Sequence, residues 1–246
     1  MDLSKEKSSI LMVEGNIGAG KSTFLKIVKK TLNLDVIFEP TNKWQSNKED
    51  SNLLHLFYKD TPRWAYTFQS YAFISRVQSI LEYQQKNVSS HLQVLERSVY
   101  CDRYCFAKNC FESGLMTALE WQIYKEWFTW LVEKYTPRPS GFIYLQTTPE
   151  ICFQRINKRN RSEEANVPLS YLQALHKRHE DWLIKQKELT PFLATVPVLI
   201  LDCTQEFETD VRVQEQHMQA IQDFITTKTV MSEVTIKQSP TQVSAR

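Results

Sequence analysis

Gly15-Asn16-Ile17-Gly18-Ala19-Gly20-Lys21-Ser22 fits the pattern G-x-x-x-x-G-K-[ST]. A loop of this kind wraps backbone N–H groups around a phosphate. Its lysine reaches the outer phosphates and its hydroxyl binds a magnesium ion. Glycine is required where a side chain would block the backbone's approach or where φ must be positive. The chain holds five glycines, and three of them fall in this loop. The apolar run Ile10–Val13 precedes it and a helical pattern starting at Thr23 follows, which is the context a phosphate cradle needs. A glycine-rich turn without a ligand is the plain alternative, and the spacing and context weigh against it.

Three charged residues close apolar runs nearby in type. Glu39 ends Val36–Phe38, and Pro40 biases it toward an extended conformation. Glu96 and Arg97 end Gln93–Leu95. A carboxylate beside the cradle can take the proton of a primary alcohol. A second can hold magnesium through water, and a guanidinium can orient an acceptor oxygen. The plain alternatives are a solvated strand end at Glu39 and a surface ion pair between Glu96 and Arg97.

A further group has the makings of a pocket for a flat polar ring. A helical stretch, Trp64–Arg76, places Gln69, Ala72 and Arg76 on one face, with Phe68 beside Gln69. A second helix carries Asp102 and Phe106 four residues apart. Together they offer an amide, a carboxylate, a guanidinium and two rings. Arg76 and Asp102 could equally be an ion pair that joins two helices, and both readings can hold at once. Gln154–Arg161 carries Arg155, Lys158, Arg159 and Arg161 with no acid. Such a run is usually a solvated face, but Arg155 and Arg159, four apart, can close on phosphates as a lid. His176 and His179 lie on a charged helix, HKRHEDW, and are expected on a solvated face.

These residues need a scaffold that brings strand ends together. Five short apolar runs (Ile10–Val13, Val36–Phe38, Gln93–Leu95, Phe142–Leu145, Val198–Leu201) alternate with long helical patterns. That alternation predicts an α/β fold: a parallel sheet of about five strands with helices on both faces. Ligands of such sheets bind at the carboxyl ends of the strands, where Glu14, Glu39 and Glu96 fall. The expected organisation is one domain over 1–226 and a disordered tail over 227–246, which has no aromatic residue and is rich in Ser, Thr and Gln.

Composition narrows the partners. A net charge of +2 lacks the footprint of a nucleic-acid binder, and no apolar run approaches a membrane span. The N-terminal residues do not read as a targeting peptide, so a cytoplasmic location is expected. The five cysteines form no C-x-x-C pair and read as reduced thiols. Cys101 and Cys105 share a helix face, but two thiols alone do not make a zinc site. Apolar residues of Trp121–Glu133 sweep roughly 200° of a helix, about twice a core stripe. That helix is either deeply buried or packs on its core and on a second copy; a homodimer is expected.

The cradle alone leaves several classes open. A GTPase would carry N-K-x-D late in the chain, and none is found; motor ATPases usually end a strand on a metal-binding aspartate, where the best strand ends here carry Glu39 and Glu96 instead. The stretches EGNIGAGKSTF, FEPTNKW, RWAYTFQSYAFISR, LERSVYCDRYCFAKN, IYLQTTPE, RINKRNRSEE and LILDCTQEF resemble the cellular deoxynucleoside kinase family, of the deoxycytidine and deoxyguanosine kinase type. The resemblance runs from about residue 8 to 225. It implies a P-loop kinase with an arginine-rich lid that moves the ATP γ-phosphate, with Mg²⁺, to a deoxynucleoside 5′-hydroxyl. Glu39 is then the catalytic base, Arg97 and Lys21 assist, and Ser22 and Glu96 hold the metal. The donor's phosphates lie along Gly15–Thr23 (Gly15, Asn16, Ile17, Gly18, Ala19, Gly20, Lys21, Ser22, Thr23) under Arg155, Arg159 and Arg161. Glu206 and Phe207 contact the donor's base, although the family often has Asp at the former. Gln69 bonds the acceptor's base, Phe106 packs on it, and Leu54, Phe68, Ala72, Arg76 and Asp102 complete the pocket. Tyr58 and Glu164 reach the 3′-hydroxyl. Members that accept thymidine have small or apolar residues in place of Arg76 and Asp102, so deoxycytidine and purine deoxynucleosides are expected to be preferred. A nucleoside monophosphate kinase would need a cationic acceptor site that Glu39 opposes. A non-catalytic nucleotide-binding protein would not need Glu39, Glu96 and Lys21 together.

Overall fold

The computed structural model describes residues 9–45, 52–86 and 92–237. The chain divides into two compact units, Met1–Gln205 and Glu206–Arg246. The first holds a five-stranded, fully parallel sheet in the order β2-β3-β1-β4-β5. Its strands are β1 (Ser9–Glu14), β2 (Asp35–Ile37), β3 (Leu92–Glu96), β4 (Gly141–Gln146) and β5 (Val198–Asp202). All five match the expected apolar runs to within one or two residues. The central strands are apolar at successive positions because both faces are covered: Ile10, Leu11, Met12 and Val13 are all buried.

The helices of this unit are α1 (Lys21–Leu32), α2 (Leu53–Lys59), α3 (Thr61–Lys86), α4 (Val99–Cys101), α5 (Lys108–Glu112), α6 (Ala118–Tyr135), α7 (Pro149–Arg159), α8 (Leu169–His179) and α9 (Pro191–Ala194). Between α4 and α5 the chain widens into a π-helical stretch, Asp102–Ala107, and another, Glu180–Ile184, extends α8. Such insertions re-aim the side chains that follow and concentrate at functional sites.

Helix α6 begins with a full capping box: the Thr117 side chain accepts from the Glu120 N–H, and the Glu120 carboxylate accepts from the Thr117 N–H. Its Trp121 and Tyr124 are buried, and Phe128 packs near Phe73 and Tyr100. The other side leaves Leu119, Trp127, Trp130 and Tyr135 exposed by 69%, 49%, 46% and 41%.

The second unit consists of a short loop and α10 (Val211–Lys237). Gln214 donates to the Phe207 and Glu208 carbonyls, which holds the loop on the helix start. The helix continues past Thr226, where composition suggested a boundary. No glycine or proline interrupts the sequence before Ser239, so nothing forces an end at 226. Residues 238–246 of the expected tail lie outside the described residues.

Candidate active site

Three strands deliver the site. β1 ends in the cradle, β3 ends at Glu96, and the chain leaving β2 carries Glu39. Between Gly15 and Gly20 the backbone reverses, with φ of +80° at Gly18 and +90° at Gly20. A Cβ on Gly18 would sit 2.4 Å from the Cys152 carbonyl oxygen, so only glycine allows the loop to lie against α7. Asn16 fixes the loop from inside: its Nδ2 donates to Leu172 O (2.9 Å) and its Oδ1 accepts from the Ile17 N–H (2.9 Å). Lys21 folds back, and its Nζ donates to the carbonyls of Gly15 (3.1 Å) and Asn16 (2.8 Å). Burial, reinforced by Arg97, lowers its ammonium pKa to about 8 against the pull of Glu39 and Glu96. The Ser22 hydroxyl donates to Glu96 Oε1 at 2.6 Å. A hydroxyl and a carboxylate paired at the cradle are hard oxygen donors of the kind magnesium takes, and they fit that ion.

Glu39 Oε1 meets two guanidiniums, Arg76 through Nη2 and Arg97 through Nε at 3.3 Å. Burial alone would push this carboxyl up, but Arg76, Arg97 and Lys21 together hold it below the ordinary glutamate value. Arg97 itself has φ of +63°, a left-handed conformation rare outside glycine. Its N–H bonds to Val13 O (2.9 Å), which extends the β1–β3 ladder one residue while the side chain turns into the site. There it lies 4.7 Å from the Phe106 ring and donates to Cys101 Sγ at 3.3 Å. Backbone strain of about 1–3 kcal/mol persists where the surroundings over-determine it, and such strain clusters at active sites.

A single cavity of about 440 Å³ joins these groups, a volume suited to a small molecule. Its lining includes Ile17, Gly18, Gly20, Lys21, Ser22 and Thr23 from the cradle, with Glu39, Glu96 and Arg97 at the strand ends. Leu54, Tyr58, Phe68, Gln69, Ala72, Arg76, Asp102 and Phe106 form its inner wall, and Arg159, Arg161 and Glu164 its rim. Arg76 spans the inner wall. It is buried, pairs with Asp102 through Nη1 and with Glu39 through Nη2, and lies 5.2 Å from the Trp44 ring. Asp102 Oδ2 and Arg76 Nε are buried without hydrogen-bond partners. Burial raises the Asp102 carboxyl pKa, and Arg76 works against it. At the rim Arg159 pairs with Glu164, and Arg161 lies 3.8 Å from the same carboxylate. Burial and the Glu164 charge push the Tyr58 hydroxyl well up.

Other expected residues sit elsewhere. Gly15, Asn16 and Ala19 frame the cradle from behind the lining. Arg155 reaches Ala19 O (3.5 Å) and Gln205 O (3.1 Å), so it braces the loop rather than the cavity rim. Glu206 and Phe207 belong to the second unit. His179 corrects the expectation of a solvated face: it is fully buried, continuing the stripe Leu172, Leu175, His179 on α8. The charged residues around it in sequence hid that i, i+3, i+7 spacing. Trp44, Phe57 and Tyr171 also line the cavity and were not singled out. Trp44 closes FEPTNKW and Phe57 precedes Tyr58, so motif and proximity were the available signals.

A phosphate cradle at the carboxyl edge of a parallel sheet, opening on a cavity with a carboxylate beside it and an arginine rim, defines a P-loop phosphotransferase for a small acceptor. The family model for deoxynucleoside kinase matches residues 11–226, and the chain belongs to that family. Deoxycytidine kinase 2 of Gallus gallus is 40% identical over 242 residues, covering 88% of this chain and 90% of its own. The mitochondrial deoxyguanosine kinase of Xenopus laevis is 38% identical, covering 87% and 89%. The mitochondrial thymidine kinase 2 of Homo sapiens is 37% identical, covering 88% and 79%. This chain is thus an ATP-dependent deoxynucleoside kinase. Overall identity does not separate the bases, since similar relatives are named for cytosine, guanine and thymine substrates. Among the described residues no helix is long and apolar enough to cross a membrane.

Proposed function

We propose that this kinase acts on the 5′-hydroxyl and prefers deoxycytidine and purine deoxynucleosides to thymidine. The observation carrying that preference is Arg76, buried between Asp102 and Glu39 with one donor and one acceptor of the pair unsatisfied. A base edge with an exocyclic amine beside a ring nitrogen meets both, the amine donating to Asp102 and the ring nitrogen accepting from Arg76. A thymine methyl there strands them, and sites built to pair polar groups reject such analogues by up to about 10⁴-fold. Gln69, buried on the same helix as Arg76, reads another part of the edge, while Phe68 and Phe106 bracket the ring.

Glu39 receives the 5′-hydroxyl proton on Oε2, since both guanidiniums gather at Oε1. The hydroxyl oxygen bonds to the γ-phosphorus as the bond to the β,γ-bridging oxygen breaks, and ADP leaves. Arg97 orients the acceptor oxygen. Lys21 exchanges its two loop carbonyls for phosphate oxygens, and Arg159 and Arg161 close on the transferring group, while Arg155 holds the loop. Ser22 and Glu96 would hold magnesium, whose charge neutralises the phosphates. Tyr58 and Glu164 take the 3′-hydroxyl, Leu54 closes the inner wall, and Glu206 and Phe207 serve the donor's base, as the resemblance implies. We also assign α6 as a homodimer face, because a lone chain would leave Trp127 and Trp130 in water. Five buried, unpaired thiols suit a reducing compartment, in our reading the cytosol. The test is kcat/KM for all four deoxynucleosides with ATP. A value for thymidine equal to that for deoxycytidine overturns the preference.

A further inference from the structure

Directly behind Arg97 lies a group of reactive side chains that phosphoryl transfer does not use. Cys101 in α4, Cys105 in the π-helical stretch and His179 at the end of α8 are fully buried. Their two sulfurs and one nitrogen all lie within 4.8 Å of one another. Cys101 Sγ is 3.5 Å from His179 Nε2. Two ligands of a tetrahedral zinc, with Zn–S about 2.3 Å and Zn–N about 2.0–2.1 Å, stand about 3.5 Å apart.

The histidine is set for ligation. Its Nδ1 lies 2.7 Å from Leu175 O, which only accepts, so Nδ1 carries the proton and Nε2 presents a lone pair to Cys101. Metal-bound histidines usually hold their second nitrogen this way. The Tyr144 ring stacks on the imidazole at 2° and 6.0 Å and fixes its plane.

An unsatisfied carboxyl points the same way. Glu14 ends β1 fully buried beside the cluster, and neither carboxylate oxygen has a well-formed hydrogen bond. Arg97 donates to Cys101.

We propose that Cys101, Cys105 and His179 form a site for a thiophilic divalent cation of the zinc class, with Glu14 the neighbouring carboxylate. The ion ties the π-helical stretch bearing Asp102 and Phe106 to α8. Phe106, edge-on to His179 at 6.4 Å, and Arg97 separate the cluster from the cavity, so their motion gives the ion its way in.

The test uses the full-length, tag-free, reduced protein, stripped with a chelator and titrated anaerobically with Co²⁺. One equivalent should bind, with sulfur-to-cobalt charge transfer in the near ultraviolet and the visible bands of a tetrahedral site, and one equivalent of Zn²⁺ should displace it. The Cys101→Ser, Cys105→Ala double variant should lose this signal, and Cys110→Ser, Cys152→Ser and Cys203→Ser should each keep it. If the double variant does not fold, zinc-edge X-ray absorption of the zinc-loaded unmodified protein decides, with two sulfur ligands expected. No stoichiometric binding, no sulfur in the zinc shell, charge transfer retained in a folded double variant, or a Cys101–Cys105 disulfide in the protein as isolated would each overturn the proposal.

Discussion

Replacing Glu39 by glutamine tests the proposed base with the least disturbance of shape. The amide keeps an oxygen for Arg76 and Arg97, which both meet Glu39 Oε1, and it removes only charge and basicity. General-base catalysis is worth about 10²–10⁴ in rate, or about 2.7–5.4 kcal/mol at 1.36 kcal/mol per decade. Glu39→Gln should lower kcat by that factor, while the deoxynucleoside Kd moves only a few-fold, because the cavity walls are unchanged. The pH profile adds a second reading. The folded pKa of Glu39 is depressed, so the base is ionised above the ordinary glutamate value, and its contribution to stability is lost only as pH falls through the lower, folded value. The acid limb of kcat/KM due to this group should therefore lie below the usual glutamate range in the unmodified enzyme and vanish in Glu39→Gln. Steady-state ADP release and calorimetric binding measure both quantities. An unchanged kcat, or a loss that appears only in KM, would refute the assignment.

Three further outcomes follow from the same geometry. Lys21 must carry its proton to hold phosphate, and its pKa of about 8 means that ATP affinity should fall as pH rises through 8, by up to about tenfold per unit; Lys21→Arg should flatten that dependence. Arg76→Met with Asp102→Ala should raise thymidine kcat/KM relative to deoxycytidine while lowering kcat for every substrate, because Arg76 also holds Glu39; either single change should cost about 3–5 kcal/mol of stability, read by denaturant unfolding. Light scattering should return a dimer mass at micromolar protein, and Trp127→Glu with Trp130→Glu should return the mass of one chain.

The strands were legible because a parallel sheet covered on both faces leaves short unbroken apolar runs, and Ile10–Val13 is such a run. The cradle was legible because three glycines, a lysine and a serine sit at a spacing few other structures require. What resisted reading depends on contacts distant in sequence. Arg76 and Asp102 share a visible pattern, but the hold of Arg76 on Glu39, 37 residues away, exists only once α3 packs along the end of β2. His179 sits among Lys177, Arg178 and Glu180, and the local charge masked a register that buries it. The left-handed turn at Arg97 leaves no mark in the sequence, since every neighbouring residue suits an ordinary strand end. Glu14 shows the reverse limit: it ends a strand as Glu96 does, yet it is buried outside the cavity lining.

The rim pairs imply an order in how substrates reinforce each other. Arg159 is about one-third exposed and holds the buried carboxylate of Glu164, with Arg161 nearby. In the proposed mechanism the donor's phosphates draw both guanidiniums toward the cradle. Glu164 then loses its partners while still buried, a costly state unless another donor replaces them. The acceptor's 3′-hydroxyl is that donor, with Tyr58 beside it. Bound ATP should therefore tighten deoxynucleoside binding, and by reciprocity the deoxynucleoside should tighten ATP by the same factor. Couplings of this kind are worth about 1–3 kcal/mol, or about 5–150-fold. Calorimetry with a non-hydrolysable ATP analogue measures the factor in both directions. Glu164→Gln should collapse it toward unity, because a neutral amide no longer needs a guanidinium to remain buried. If the deoxynucleoside binds equally well with and without the analogue, Glu164 does not exchange Arg159 for the sugar, and the rim pair is only a structural brace.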